Sequence, residues 1–151
     1  MEQITIDRLL KAGWTDKRNI DISPIVEKLK RMDINLPDNV KNFLKEYGML
    51  EIRFESKIRG FVIEEVTEFN PIKAVGDVFD GEYFREIFDE YDVEDIVYPI
   101  GQACRGNLLI LMSENGNFYR YTDGFLCKDG ETIEEMLDCV VGECRQLVYL
   151  D

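Results

Sequence analysis

Apolar residues in the first third of the chain recur at intervals of three and four, which is the spacing of amphipathic helices. The first such segment spans residues 4–12. A second begins at Ser23-Pro24, a pair typical of a helix N-cap followed by a first-turn proline. A third runs from residue 36 to Gly48. The pattern therefore predicts three helices in this part of the chain.

The period changes to two at Leu50, where charged and apolar side chains begin to alternate as they do in a strand with one face on the core. Further strands, each bounded by turn residues, are predicted over 50–55, 61–66, 96–100, 108–112, 117–121 and 125–128, with the first turn at 57–60. A closing helix is predicted from a Thr132 cap, with Glu135 completing a capping box, to Cys144. Helices, then a mostly antiparallel sheet, then a terminal helix predict a single α+β domain over residues 1–151.

An acidic segment lies between the first two strands and the rest of the sheet. Residues 77–95 contain one cation, Arg85, five aromatic residues and nine carboxylates: Asp77, Asp80, Glu82, Glu86, Asp89, Glu90, Asp92, Glu94 and Asp95. On a helical wheel drawn from Phe79, the aromatic residues fall within about half the circumference, which predicts that they are mainly core. The segment is thus predicted to be a fourth helix with an outward carboxylate row.

The whole chain carries a formal net charge of -13, from 31 acidic and 18 basic residues. Such a field repels nucleic acid and anionic membranes and attracts cationic partners. No apolar stretch approaches the roughly 20 residues that a membrane span needs, and the N-terminal sequence lacks the pattern of a signal peptide. We therefore expect a cytoplasmic protein that binds neither nucleic acid nor membrane.

The chain contains no histidine, which removes catalytic triads, Cys-His dyads and most transition-metal sites. Neither common phosphate-binding loop is present. Four cysteines lack a zinc-binding spacing and are predicted to be free thiols: Cys104, Cys127, Cys139 and Cys144. We expect no catalytic residue, no cofactor and no metal site.

Short motifs follow one another along most of the chain: Ala12-Gly13-Trp14, Arg18, residues 42–48 (NFLKEYG), 50–52 (LEI), 98–101 (YPIG), 115–119 (NGNFY) and the helix start at 130–137. In this order and spacing they resemble the SUKH immunity-protein superfamily, most closely its third subfamily. The resemblance implies an α+β fold around an antiparallel sheet and no catalytic centre. It also implies a cytosolic antidote in a bacterial toxin system that binds a cognate toxin, often a nuclease or a deaminase.

One position departs from the family pattern. Met49 stands where the family usually has a second glycine, which predicts a turn with a relaxed conformational requirement at this point. The glycines and aromatic residues of the motifs are most simply turn, cap and packing residues.

Charge and resemblance together suggest an interaction surface. A nuclease holds phosphates with lysine and arginine, so a carboxylate-rich surface can cover its active site. The predicted contact residues are Glu82, Glu86, Asp89, Asp92, Glu94 and Asp95 for charge, with Tyr91 as an aromatic anchor.

Other hypotheses stay open at this point. The acidic segment can be only a solvated face, or the chain can be a regulatory scaffold module, as eukaryotic members of the superfamily are. A carboxylate enzyme with a divalent cation is a third possibility. The sequence leaves open the toxin's identity and whether the protein is a monomer or a weak homodimer.

Overall fold

A computed structural model describes residues 1–58 and 60–150, so that Arg59 of the predicted first turn and the terminal Asp151 lie outside the described residues. The helices are α1 (Gln3–Lys11), α2 (Ser23–Arg31), α3 (Asp38–Tyr47), α4 (Pro71–Val75), α5 (Gly81–Glu86) and α6 (Ile133–Val140). The strands are β1 (Glu51–Ile58), β2 (Phe61–Glu68), β3 (Val97–Ala103), β4 (Leu108–Ser113), β5 (Phe118–Thr122), β6 (Phe125–Gly130) and β7 (Val148–Tyr149). A short 3-10 turn, Cys104–Gly106, links β3 to β4.

The seven strands form one antiparallel sheet in sequence order, from β1 at one edge to β7 at the other. The predicted α+β class is confirmed. The pairing between β2 and β3 is short: within the described residues, Glu68 and Gln102 are the single residue pair in its register. A bulge between Pro99 and Gly101 lets β3 continue past the glycine at which the sequence predicted its end.

The helices pack their apolar faces on this sheet. At the centre of the core, the Phe43 ring on α3 lies 5.2 Å from the Phe69 ring, edge to face, and 5.9 Å from the Phe118 ring on β5. Such aromatic contacts add to the burial of apolar area. The helical periodicity of the first fifty residues is thus explained by one shared core.

A buried ion pair joins β5 to β6 beside α6. Arg120 Nε lies 2.9 Å from Asp129 Oδ2, and Arg120 Nη2 lies 3.0 Å from Oδ1. The thiols of Cys127 and Cys139 donate to the same Oδ1 at 3.5 and 3.4 Å. Burial, followed by the Asp129 charge, raises the pKa of both thiols to about 12. Burial lowers the pKa of Arg120, but Asp129 more than reverses this and leaves it above its ordinary value.

Some predicted boundaries were wrong. Ser23 is not the cap of α2: Asp21 Oδ1 accepts hydrogen bonds from the Ser23 backbone N–H at 3.0 Å and from its hydroxyl at 2.7 Å. The closing helix ends at Val140 and not at Cys144, because the regular hydrogen-bond pattern stops there: the backbone N–H of Gly142 donates to the Leu137 carbonyl, five residues back, at 3.0 Å. The helix α4 and the strand β7 were not predicted.

The fourth predicted helix is shorter than the apolar pattern indicated. Regular helix stops at Glu86, and the chain continues in tight turns: the N–H of Asp89 donates to the Glu86 carbonyl at 3.0 Å, and that of Tyr91 to the Phe88 carbonyl at 2.9 Å. These turns place the Phe88 ring 5.0 Å from that of Tyr119 on β5. Tertiary packing therefore decides where the helix ends, although the aromatic residues are core as predicted.

Candidate functional site

Helix α5, which lies within the acidic segment, is fixed to the loop after α2. The Gly81 backbone N–H donates to the Met32 carbonyl at 2.8 Å. A Cβ built on Gly81 would lie 1.8 Å from the Asp33 carbonyl oxygen, so only glycine allows this approach. The Asp80 carboxylate caps the helix by accepting from the Tyr83 N–H at 3.0 Å.

The inner side of the segment is aromatic and packed. The rings of Phe79 and Tyr83 stack at 4.2 Å, and Phe84 meets Tyr83 edge to face at 5.2 Å. Burial raises the pKa of Tyr83 to about 12. With its inner side built into the core, the segment presents its carboxylates from a fixed support.

Five of the predicted contact residues form the outer side, and we call them the acidic strip: Glu82, Glu86, Asp89, Asp92 and Glu94, all of them exposed. Glu82 and Glu86 are four residues apart and share one face of α5. Within the described ranges, no lysine or arginine forms a salt bridge with any member of the strip. The charge of the strip is therefore not neutralised by ion pairing in the described part of the chain.

The one cation of the segment is engaged outside it. Arg85 Nη2 lies 2.8 Å from Asp33 Oδ2, in the loop after α2. The hydrogen bond that Arg85 donates to Asp33 is the main cause of the raised pKa of Arg85. Arg85 thus serves as a second link between α5 and that loop.

Asp95 has a different role from the rest of the predicted set. Its half-buried carboxylate accepts hydrogen bonds from Asn115 Nδ2 at 3.1 Å, Asn117 Nδ2 at 3.1 Å and the Tyr119 hydroxyl at 2.8 Å. Burial and this carboxylate raise the pKa of Tyr119. Asp95 therefore ties the end of the acidic segment to the β4–β5 turn.

The predicted aromatic anchor is half-buried. The Tyr91 ring lies 6.5 Å from that of Phe88 and 6.1 Å from that of Tyr121. Its position at the edge of the aromatic cluster leaves part of the ring at the surface.

Two apolar side chains that the sequence analysis did not select lie at the surface, one within the acidic segment and one directly after it. Val78 is 82% exposed and Ile96 is 45% exposed. Ile96 also lines a cleft of about 200 Å³ together with Phe84, Arg85 and Tyr98. In the sequence, each of these residues is a single apolar residue directly after an aspartate, Asp77 or Asp95. This pattern is too common to identify a surface contact residue by itself.

A family model decides the relationship of the chain to known proteins. The model described as SUKH-3 immunity protein matches residues 1–143. The chain belongs to the SUKH-3 immunity protein family. No curated protein and no solved structure gives a significant match.

The residues that carried the resemblance to SUKH-3 proteins have structural roles. Trp14 Nε1 donates to Glu46 Oε2 at 3.0 Å, and Arg18 Nη1 donates to the Glu46 backbone carbonyl at 2.7 Å. The Trp14 ring stacks on Tyr47 at 6.1 Å. This motif attaches the α1–α2 connection to the end of α3, away from the acidic strip in sequence.

The departure from the SUKH-3 pattern at Met49 does not relax the turn. Met49 has a φ of 66°, in the left-handed region that favours glycine. The sequence-based expectation of a less restricted turn is therefore wrong, because the backbone keeps the conformation that the family glycine suits.

Two further properties concern the described part of this SUKH-3 protein. None of its helices has the length and apolar character needed to cross a bilayer. Within the same residues, no three Asp, Glu or Cys side chains are grouped so that they could hold a metal ion.

Proposed function

We propose that this SUKH-3 protein is an immunity protein that neutralises a cognate toxin nuclease by covering its basic active-site surface with the acidic strip. The observation that carries the proposal is a row of exposed carboxylates that form no salt bridge within the described part of the chain and are supported by a packed aromatic layer. Its action is occlusion, and it requires no chemistry from the protein.

The physical basis is competition for the same cations. A nuclease must hold phosphates with lysine and arginine, and carboxylates of a protein can pair with those side chains in place of the nucleic acid. The net charge of -13 also attracts a cationic toxin over about 10 Å, which speeds the encounter.

Apolar residues beside the strip would supply the contacts that hold the complex. Residues at the centre of an interface dominate affinity, whereas charges at the rim mainly govern association. Val78 in the acidic segment and Ile96 directly after it are exposed apolar side chains, and Tyr91 is a half-buried aromatic one. In the proposed complex, the cleft that Ile96 lines would receive one side chain of the partner.

The test uses the triple variant E82K/E86K/D89K and the toxin domain that, under this proposal, is encoded beside this chain's gene. We expect wild-type protein to bind the toxin and block its nuclease activity. The triple variant should associate at least about tenfold more slowly, and the decrease of its association rate with added NaCl should be much smaller. Stopped-flow fluorescence over a range of NaCl concentrations measures both.

A matched control reverses three exposed carboxylates elsewhere, in the variant D16K/E27K/E134K. Both triple variants change the net charge equally, so a larger loss in the first variant assigns the effect to the strip. Equal losses would assign it to net charge alone, and unchanged kinetics in E82K/E86K/D89K would exclude this surface. If the toxin cleaved no nucleic acid, the proposal that the target is a nuclease would be excluded.

A further inference from the structure

Among the described residues, no strand pairs with the outer edge of β1, the first strand of the sheet. β1 has eight residues and pairs on one side with β2 over its whole length. The other edge of the sheet, β7, has only two residues. A long open edge can accept another strand, whereas a very short one is protected from doing so.

The orientation of the backbone shows which residues serve this open edge. The Leu50 carbonyl accepts from the Phe69 N–H at 3.0 Å and therefore points towards β2. In an antiparallel ladder this orientation alternates, so the N–H and C=O groups of the odd-numbered residues point outward: Glu51, Arg53, Glu55 and Lys57. Arg8 Nη2 approaches the Glu55 carbonyl at 3.4 Å, and the second lone pair of that oxygen can still accept.

The side chains of the same four residues are exposed, while those of Ile52, Phe54 and Ser56 are buried. Along the strand their charges run negative, positive, negative, positive. Protected edges commonly carry lysines, which repel a second strand. A row of alternating charges does not repel every partner strand. An antiparallel second copy of the same strand presents the opposite charge at each of the four positions.

We propose that β1 pairs antiparallel with β1 of a second copy of this chain, with the two-fold axis at Phe54. Glu51 then lies opposite Lys57 of the second copy, and Arg53 lies opposite Glu55. Each pair occurs twice, so all eight outward charges face an opposite charge. The pairing continues the sheet across the dimer.

Charge selects this register among its neighbours. If the two-fold axis lay at Arg53, this residue would face Arg53 of the second copy. If the axis lay at Glu55, this residue would face Glu55 of the second copy. Like charges directly opposite each other destabilise a strand pair. A shift by one residue sets outward-pointing groups opposite inward-pointing ones and breaks the ladder.

The dimer is weak and depends on protein concentration. A single strand pair buries less than the roughly 1,200 Å² that marks stable complexes. Arg53 already bonds within the chain to Glu51 at 2.6 Å and to Glu64 at 2.9 Å, which reduces its gain from a partner. We expect association between about 10 μM and 1 mM, weakened by added salt.

Two charge-swapped variants test the pairing. E55K/K57E and E51K/R53E both keep the net charge of the wild type. Each alone places like charges opposite each other in both kinds of pair and is expected to be a monomer. Mixed together they restore all opposite charges and are expected to form a heterodimer. Sedimentation equilibrium of each variant, of the mixture and of the wild type measures this.

A wild-type protein that stays monomeric up to about 1 mM, or a single variant that dimerises as well as the wild type, overturns the proposal. E55K/K57E leaves the intrachain bonds of Arg53 intact, so its loss of dimer cannot be attributed to them.

A second measurement needs no variant: exchange of the Arg53 and Glu55 amide hydrogens should slow as wild-type concentration rises, and an unchanged rate is also contrary to the pairing. None of these positions lies in the acidic strip, so toxin binding is tested separately.

Discussion

Met49 holds a backbone conformation that side chains rarely adopt. It lies between α3 and β1 with a φ of 66°, and its N–H donates to the Phe69 carbonyl at 2.8 Å. The left-handed conformation costs about 1–2 kcal/mol for a residue with a Cβ. Because Met49 is 50% exposed, its side chain recovers little of this by packing.

Replacing Met49 by glycine is therefore expected to stabilise the fold. The M49G variant relieves the strain but gives the unfolded chain more freedom, so the net gain is about 1 kcal/mol. Urea denaturation at equilibrium measures the free energy of unfolding. M49A is the control, since it shortens the side chain and keeps the strain. Equal stability of M49G and wild type would show that the turn is not strained.

One residue with a purely local role shows what the sequence could predict. Thr132 caps α6 as expected, accepting from the Glu135 N–H at 3.1 Å. Asp95 could not be recognised as a structural residue, because two of its donors, Asn117 and Tyr119, lie more than twenty residues further along the chain. Its carboxylate differs from those of the acidic strip only through tertiary contacts.

At the level of elements, β5, β6 and α6 meet around the pair of Arg120 and Asp129. The Asp129 side chain is fully buried, with 0% exposure, and Arg120 supplies its compensating charge. A buried pair adds little net stability compared with apolar residues, but an unpaired buried charge is costly.

The R120M variant is accordingly expected to lose about 3–5 kcal/mol of unfolding free energy, because Asp129 is left buried without a cation. The double variant R120M/D129L should be clearly more stable than R120M, since neither charge remains. The exposed pairs of Arg53 give a control: R53M should change stability by less than about 1 kcal/mol. Urea denaturation compares the variants, and a mild effect of R120M would contradict this account.

Helices and strands were predictable where one face of each meets the core. The alternation around Ile52 and the three-and-four spacing around Phe43 both reflect burial, and β1 and α3 follow them. The segment after Glu86 shows the limit of this approach. Its aromatic residues keep a helical spacing, yet they reach β5 through turns. The periodicity therefore predicted which side chains are buried, but it did not predict the backbone conformation.

For the molecule as a whole, the excess of negative charge should oppose folding. With a net charge of -13 the folded chain repels itself, and salt screens this repulsion. We expect the thermal unfolding midpoint to rise as NaCl increases from about 0.01 to 0.15 M. A gain on the order of 1 kcal/mol would appear as a rise of about 2–4 °C.

The variant E82K/E86K/D89K provides the comparison, since it removes part of the excess and should show a smaller rise. Differential scanning calorimetry at each NaCl concentration measures the midpoints. A midpoint that falls with salt would mean that the exposed ion pairs, such as that of Arg85 with Asp33, outweigh the net repulsion.

The fold class of the molecule was predictable from the order of its periodic segments, and the acidic segment from its composition. The hydrogen bonds that attach the acidic segment to the rest of the fold were not predictable, because they involve residues distant in sequence such as Met32 and Asn115. The self-complementary charges of β1 were visible in the sequence, but only the strand order shows that they lie on an open edge.

The three hydrogen bonds to Asp95, together with the attachment of Gly81, hold the acidic segment at both ends. In the proposed complex its carboxylates would consequently act as a rigid template for the toxin and not as a flexible tail. A template loses little conformational entropy on binding and discriminates between partners by the spacing of its charges. A disordered polyacidic extension of equal charge would attract the same cations but would not select among them.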